Sequence, residues 1–492
     1  MEKHILSKST FLRGLQCHKS LYLYKNFIQL RDTPSAEQQA IFSRGNRVGV
    51  LAQKLFPGGI DATPTKKNNY IAAVEKTQFL INSGAEIIYE AAFQYNQVLA
   101  ILDVLVKKEG KWYAYEVKSS IKISHIYVMD ASLQYWVITN SGLAIEDISL
   151  ITLSSKYIKK GDLNLHELFA ITSVLKDVAK NQDAITDQAN ILIELASTAE
   201  MPDVPIGEHC FTPYNCDFMG NCWKNVPHNS VFEITGLSKA EQFALYSSGV
   251  RTIDEIPAKN NLDKNVNIHL ATSKKFDVHI QKEALKKFVD ELTYPLCFMD
   301  FESFMPAVPL YEGTKPYQHI PFQYSIHVQE SASSTTKHLE FLAEQGFDPR
   351  IDFIDNLLEH LKEASTILVY DALMERNILN GLKKDFPEKS EGIDFVLSKL
   401  KDLMQVFQER IYYHPLMKNS HSIKSVLPAL VPELGYETLK ISSGSIAMIA
   451  FEKLQTETDM FRAMETREHL LEYCKLDTLA MVKLLEVLKR SI

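Results

Sequence analysis

The run LAILDVLVKKEGKWYAYEVKSS (residues 99–120) sets a polar KKEG turn between two segments rich in apolar residues, a pattern that closes into a β-hairpin. Pairing Val106 with Lys111 across the turn would set Asp103 opposite Ala114. Side-chain alternation would then put Asp103, Ala114, Glu116 and Lys118 on one face. Two carboxylates and an ammonium on one face are what metal-assisted phosphodiester cleavage requires: acids to hold Mg²⁺ or Mn²⁺, and a lysine to stabilise charge or orient the attacking water. E-x-K is common on exposed strands, but Asp103 interrupts an otherwise apolar run, where an unpaired carboxylate is costly.

The 492-residue chain has room for roughly two to four domains. No apolar run approaches about 18 residues and MEKHILSKSTFLRGLQC lacks an apolar h-region, so neither a membrane span nor a secretory signal is expected and the cytoplasm is the expected compartment. A net charge of −8 argues against a broadly basic nucleic-acid coat, although local patches such as Lys107–Lys108 are compatible with it. No GxxxxGK[ST] loop is present, which disfavours an ATP-driven helicase–nuclease.

Periodicity predicts helix over residues 5–56, strands at about 85–106 and 111–118, and helix again over 161–200. The Pro- and Cys-bearing segment 201–228 breaks the pattern. The segment 231–257 reads as a short helix, a Gly turn and a second short helix, a form compatible with a phosphate-contacting helix–hairpin–helix or with ordinary helical packing. Beyond about 290, CFMDFESF and STILVYDAL read as buried strands followed by long helices. The expected class is α/β: a domain over 1–228, a helical linker over 229–288 and a second α/β domain over 289–492.

Six cysteines are too few for a disulfide scaffold, yet Cys210, Cys216 and Cys222 crowd into HCFTPYNCDFMGNCW, which points to a metal centre. Cys297 and Cys474 sit in apolar contexts and read as small buried hydrophobes. In CFMDFESF, Asp300 and Glu302 share a strand face among aromatics, where a cation is the natural partner. In EYCKLDTLAMVKLLEVL, Tyr473 and Asp477 stand one helical turn apart and could orient a water and complete such a site.

D-x(12)-E-V-K, carried by Asp103, Glu116 and Lys118, resembles the core of the PD-(D/E)XK nucleases, and its surroundings resemble the RecB-like branch, similar to CRISPR-associated RecB-type exonucleases. The resemblance implies a restriction-endonuclease-like domain with DNA-proximal Gln134 and Tyr135 on the next helix. They are adjacent here where the branch spaces them as QxxxY, so Asp130 or Tyr127 is the alternative partner. The branch's metal-binding His falls at Gly49, and Glu90 is a candidate accessory acid or a solvent-facing residue. The same resemblance implies that Cys17 joins Cys210, Cys216 and Cys222 in holding a [4Fe–4S] cluster, with a Cys₄ Zn²⁺ site as the alternative.

D-x-E followed by Y-x-x-x-D resembles DnaQ-like DEDDy exonucleases, an RNase H-like fold. This resemblance implies that Asp300, Glu302, Glu375 and Asp477 bind metal, that Tyr473 positions the nucleophile, and that the elements bearing Asp402 and Lys424 connect the fold; Asp371 stands where Asn is usual. Taken whole, the chain resembles a bacterial family described as an uncharacterised domain downstream of a RecB-like nuclease. The implied activity is metal-dependent, exonucleolytic hydrolysis of DNA, single-stranded or at duplex ends, with RNA as a further substrate class. The alternative is a nucleic-acid-binding or interaction protein in which one or both centres are inactive.

Overall fold

The computed structural model describes residues 4–64, 66, 69–234, 236–256 and 263–492. Backbone contacts divide the chain into two compact units: Met1–Asn225 with Pro306–Tyr317, and Val226–Met305 with Gln318–Ile492. Both mix helices with sheet, as an α/β class requires. Among the described residues no helix is long and apolar enough to cross a membrane.

Unit 1 is built on a seven-stranded sheet of β1 (Leu6–Ser7), β2 (Ile60–Asp61), β3 (Ile87–Tyr95), β4 (Val98–Lys108), β5 (Lys111–Lys118), β6 (Ile145–Leu153) and β7 (Phe169–Ser173). The order is β2-β3-β4-β5-β6-β7, with β1 pairing in parallel with β4. The helix His125–Asn140 makes the crossover that lets β5 and β6 run parallel. Chain entry is set by α1 (Lys8–Gln16), which a Ser7–Thr10 capping box starts, and α2 (His18–Asn26), which the extended Cys17 separates from it.

The β4–β5 hairpin forms, but two residues out of the expected register. Lys108 pairs with Lys111 and Leu105 with Ala114, so the turn is the two-residue Glu109–Gly110, with φ of 51° and 79°. Two successive positive φ values match the strand twist better than a four-residue KKEG turn. Extending the register by one residue sets Asp103 across from Glu116 rather than Ala114, while parity keeps the same residues on one face.

The run 85–106 is two strands, β3 and β4, joined at Asn96–Gln97 with φ of 42° and 62°. The polar stretch QYNQ at 94–97 is the turn signal, flanked on both sides by largely buried strand. Within 161–200, β7 interrupts the expected helix and pairs with β6. Residues 306–317, which sequence reading gives to the C-terminal domain, pack with unit 1: Tyr317 Oη donates to the Ser119 carbonyl at 2.8 Å.

In unit 2, β8 (His279–Ile280) precedes a five-stranded sheet of β9 (Leu296–Phe304), β10 (Ile320–Gln329), β11 (Lys337–Leu342), β12 (Thr366–Val369) and β13 (Leu400–Asp402); β14 (Tyr412–Tyr413) pairs back with β8. The order β11-β10-β9-β12-β13 is antiparallel across its first three strands and parallel across β9, β12 and β13. Cys297, Met299 and Phe301 enter one core, which leaves Asp300 and Glu302 for the opposite face. That face carries the 31-residue helix Met460–Arg490.

The linker region clusters with unit 2. It holds the helix Lys239–Ser247 and a Gly249 turn at φ 96°, but the expected second helix is a single 3₁₀ turn, Ile253–Glu255. Three residues close a 3₁₀ turn but no α-helical one, and in the sequence Pro257 comes two positions after it. Thr235 and residues 257–262 of that region lie outside the described residues.

Candidate functional site

In unit 2, strand alternation on β9 and helical spacing on Met460–Arg490 converge. Ligand oxygens of Asp300, Glu302 and Asp477 all lie within 4.8 Å of one another, and among the described residues no other set of three acid, His or Cys groups is as close. They open into a cleft of about 230 Å³ that Glu375, Lys424 and Tyr473 also line. Glu375 enters from the first turn of the helix Ala372–Asp385. Asp402 fixes that turn by accepting the backbone N–H groups of Asp371 and Ala372, each at 3.1 Å, with Asp371 held at φ 73°.

Burial and mutual repulsion of the carboxylates set the electrostatics of this cleft. Burial, then the charges of Asp477, Glu302 and Glu375, push Asp300 well above the usual carboxylate range. Burial and Asp477 do the same to Glu302, against a pull from Lys424. Burial takes Glu375 to about 8, and its Oε2 is enclosed without a hydrogen-bond partner. Asp477 rises to about 6 through burial, although Tyr436 donates to its Oδ1 at 2.6 Å. Burial and Asp477 hold the Tyr436 and Tyr473 phenols far above their ordinary range, so both are neutral donors. A divalent cation would stabilise every carboxylate here, and the donor set of buried oxygens fits Mg²⁺ or Mn²⁺.

In unit 1, Asp103, Glu116 and Lys118 come together with four residues from elsewhere. Lys118 Nζ and Lys8 Nζ both donate to Glu116 Oε1, at 2.7 and 2.6 Å, and Lys118 also binds Asp130. Gln134 Nε2 donates to Asp130 Oδ1 at 3.3 Å, and the Lys118 ammonium lies 5.5 Å from the centre of the Tyr127 ring. Asp103 Oδ2 accepts the Val117 N–H at 2.6 Å, while Glu116 Oε2 is buried without a partner. Burial and Glu116 push Asp103 well up. Burial works in the same sense on Glu116, but Lys118 and Lys8 outweigh it and hold that carboxyl far below its usual range.

Glu90 stands in the same row. It is skipped in the β3–β4 pairing at the step facing Asp103 and takes φ 53°, a conformation that costs a non-glycine residue energy and often marks a functional position. Burial, Asp61 and Glu116 raise its carboxyl. Of the pair taken as DNA-proximal, Gln134 is fully buried against Asp130, whereas Tyr135 lines a different recess with Tyr95 and Asn140. Adjacent helical residues point about 100° apart, so both cannot serve one site. The i, i+4 pair Asp130–Gln134 is the one that joins the Lys118 cluster.

Cys17, Cys210, Cys216 and Cys222 line one recess, joined by His209 and Trp223. The two distant segments are tied beside it. Gln16 Nε2 donates to the carbonyls of His209 and Tyr214, each at 2.7 Å; Arg13 grips Asp217 through both terminal nitrogens; Arg31 Nε reaches the same carboxylate at 2.5 Å. None of the six cysteines is in a disulfide, and Cys297 and Cys474 are buried in unit 2 as expected of small core residues.

Three contributors escaped sequence reading: Lys8, the partnership of Asp130 with Lys118, and Tyr436. Lys8 opens a helix and Tyr436 lies in a loop, so neither belongs to a periodic pattern that would mark it. The fold and sites define a mixed α/β protein with two buried carboxylate clusters and a four-thiol recess. Residues 297–422 match a family model described as a domain of unknown function, DUF2779, a stretch that includes Asp300, Glu302 and Glu375 but stops short of Tyr436, Tyr473 and Asp477. No curated protein matches the chain.

Proposed function

We propose that this protein is a divalent-metal-dependent nuclease hydrolysing phosphodiester bonds of DNA, exonucleolytically, with one candidate centre in each unit. The observation that carries the reading is the convergence of Asp300, Glu302 and Asp477 within 4.8 Å in a cleft that also holds Glu375 and a neutral Tyr473. Bound Mg²⁺ or Mn²⁺ supplies Lewis-acid activation of the phosphodiester and of the attacking water. Tyr473, protonated throughout the physiological range, orients that water. Tyr436 fixes the rotamer of Asp477, and Lys424 places positive charge at the cleft.

In unit 1, Asp103 and the open Oε2 of Glu116 offer ligand atoms, and Lys118 offers an ammonium for charge developing on phosphate. The β5–helix–β6 crossover and the row Glu90, Asp103, Glu116 support a restriction-endonuclease-like, RecB-like reading of this unit. The strand order β11-β10-β9-β12-β13, which is 3-2-1-4-5 when the five strands are counted from β9, supports an RNase H-like, DEDDy reading of unit 2.

The thiol recess is read as a structural [4Fe–4S] site. Cys17, Cys210, Cys216 and Cys222 line that one recess, which supports a shared thiolate-bound group; a single Cys₄ Zn²⁺ is the alternative to the cluster.

The test is incubation of the full-length protein with end-labelled single-stranded DNA, duplex DNA and RNA in Mn²⁺, beside an EDTA control. DNA shortening that EDTA abolishes is the expected result. Absence of cleavage with retained DNA binding would favour the binding-module alternative.

A further inference from the structure

Lys8 is the least expected member of the unit 1 cluster. It lies 108 residues from Glu116 in sequence, yet places Nζ 2.6 Å from Glu116 Oε1 and 3.7 Å from Asp130 Oδ2. Its position is built in at both ends of α1. At the start, β1 pairs with β4 and the Ser7 box caps the helix. At the far end, Arg13, Gln16 and Cys17 engage the cysteine-bearing segment.

We propose that Lys8 is the resident counter-cation of this carboxylate site and limits it to one divalent ion. With Lys8 and Lys118 both on Oε1, Glu116 keeps a single open ligand atom, the buried and unpartnered Oε2. Lys118 and Lys8 also reach Asp130 Oδ2, so the ligand atoms left for a cation are Glu116 Oε2 and the carboxyl of Asp103, whose Oδ2 already accepts the Val117 N–H; that set suits one divalent ion, and a second would add positive charge beside two part-buried ammoniums. Lys8 is thus a positioning residue: it holds Glu116 monodentate toward the ion and adds a fixed positive charge beside Lys118.

The proposal rests on the reading of Asp103 and Glu116 as metal ligands, and its sign separates it from a merely structural role. A lysine that only orients Glu116 would, when removed, weaken metal binding. A resident cation, when removed, relieves like-charge repulsion and strengthens it. The experiment uses the full-length chain carrying Asp300→Asn and Asp477→Asn to silence the second cluster, with Mn²⁺ binding followed by electron paramagnetic resonance.

In that background Lys8→Met, which keeps the apolar stem, is expected to tighten Mn²⁺ binding at least about tenfold or to add a second ion, while Asp103-dependent cleavage falls. Lys8→Arg is expected to retain the parent isotherm. Unchanged or weakened Mn²⁺ binding in Lys8→Met, with a thermal melt showing it folded, would overturn the proposal. If Asp103→Ala leaves the parent isotherm unchanged, the metal-ligand reading of the site fails instead, and the two failures are told apart.

Discussion

Glu375 and Asp477 give the unit 2 cluster a definite pH signature. Their carboxyls titrate at about 8 and about 6 in the folded protein, with burial as the first cause of each, against roughly 4 in an unfolded chain. Between those values the folded state binds more protons than the unfolded one, so metal-free stability falls as pH rises from about 4 toward 8. A divalent cation offsets the clustered negative charge. Mn²⁺ should therefore raise the melting temperature of unit 2 more at pH 8 than at pH 5, as calorimetry would read; an equal shift at both would deny a cation site. Tyr473→Phe should lower Asp300-dependent cleavage about 100-fold or more while sparing Mn²⁺ affinity, because the phenol orients water rather than ligating metal. Residues placed by local periodicity were legible from sequence: Asp103, Glu116 and Lys118 by strand alternation, Asp300 and Glu302 likewise, Tyr473 and Asp477 by helical spacing. Lys8 and Tyr436 were not, because their roles arise only when remote segments meet.

Among the elements, Asp402 shows how one side chain can place another. At the end of β13 it accepts the N–H groups of Asp371, Ala372 and, at 2.8 Å, Met404, anchoring the helix whose first turn presents Glu375. Asp402→Ala should cost about 1 kcal/mol, as loss of an N-terminal cap does, and should weaken Mn²⁺ binding in unit 2 although Asp402 touches no ligand position. A denaturant melt checks the first part and Mn²⁺ titration calorimetry on the folded variant the second. The hairpin around Asp103 was legible because its turn is polar; its register was not, since KKEG admits two turn lengths and only positive φ at Glu109 and Gly110 selects the tighter one. The β3–β4 turn is marked only by the short polar stretch QYNQ at 94–97, and β7 is a five-residue strand at the sheet edge, largely exposed and set between helical segments, so neither interrupts the pattern for long.

On the scale of the whole molecule, the N-terminal helices and the segment 208–223 meet at the thiol recess, closing a loop of almost 200 residues. A cluster bridging them would restrict the unfolded chain and fix the entry of α1. Cys17→Ala should lose bound iron, read as the loss of a dithionite-bleachable visible absorbance, and should lower the unit 1 melting temperature; a full cluster retained in that variant would remove Cys17 from the ligand set. Backbone contacts divide the chain at Asn225, inside the Pro- and Cys-bearing segment 201–228 that breaks the sequence pattern, whereas the packing of Pro306–Tyr317 with unit 1 has no mark in the sequence, since nothing local shows that a loop serves another core. The most direct test of the two-centre reading is the Mn²⁺-dependent rate of DNA cleavage by wild type, Asp103→Ala, Asp300→Ala and the double variant. Partial loss in each single variant and complete loss in the double variant are predicted; cleavage persisting undiminished in the double variant would contradict the assignment of both centres.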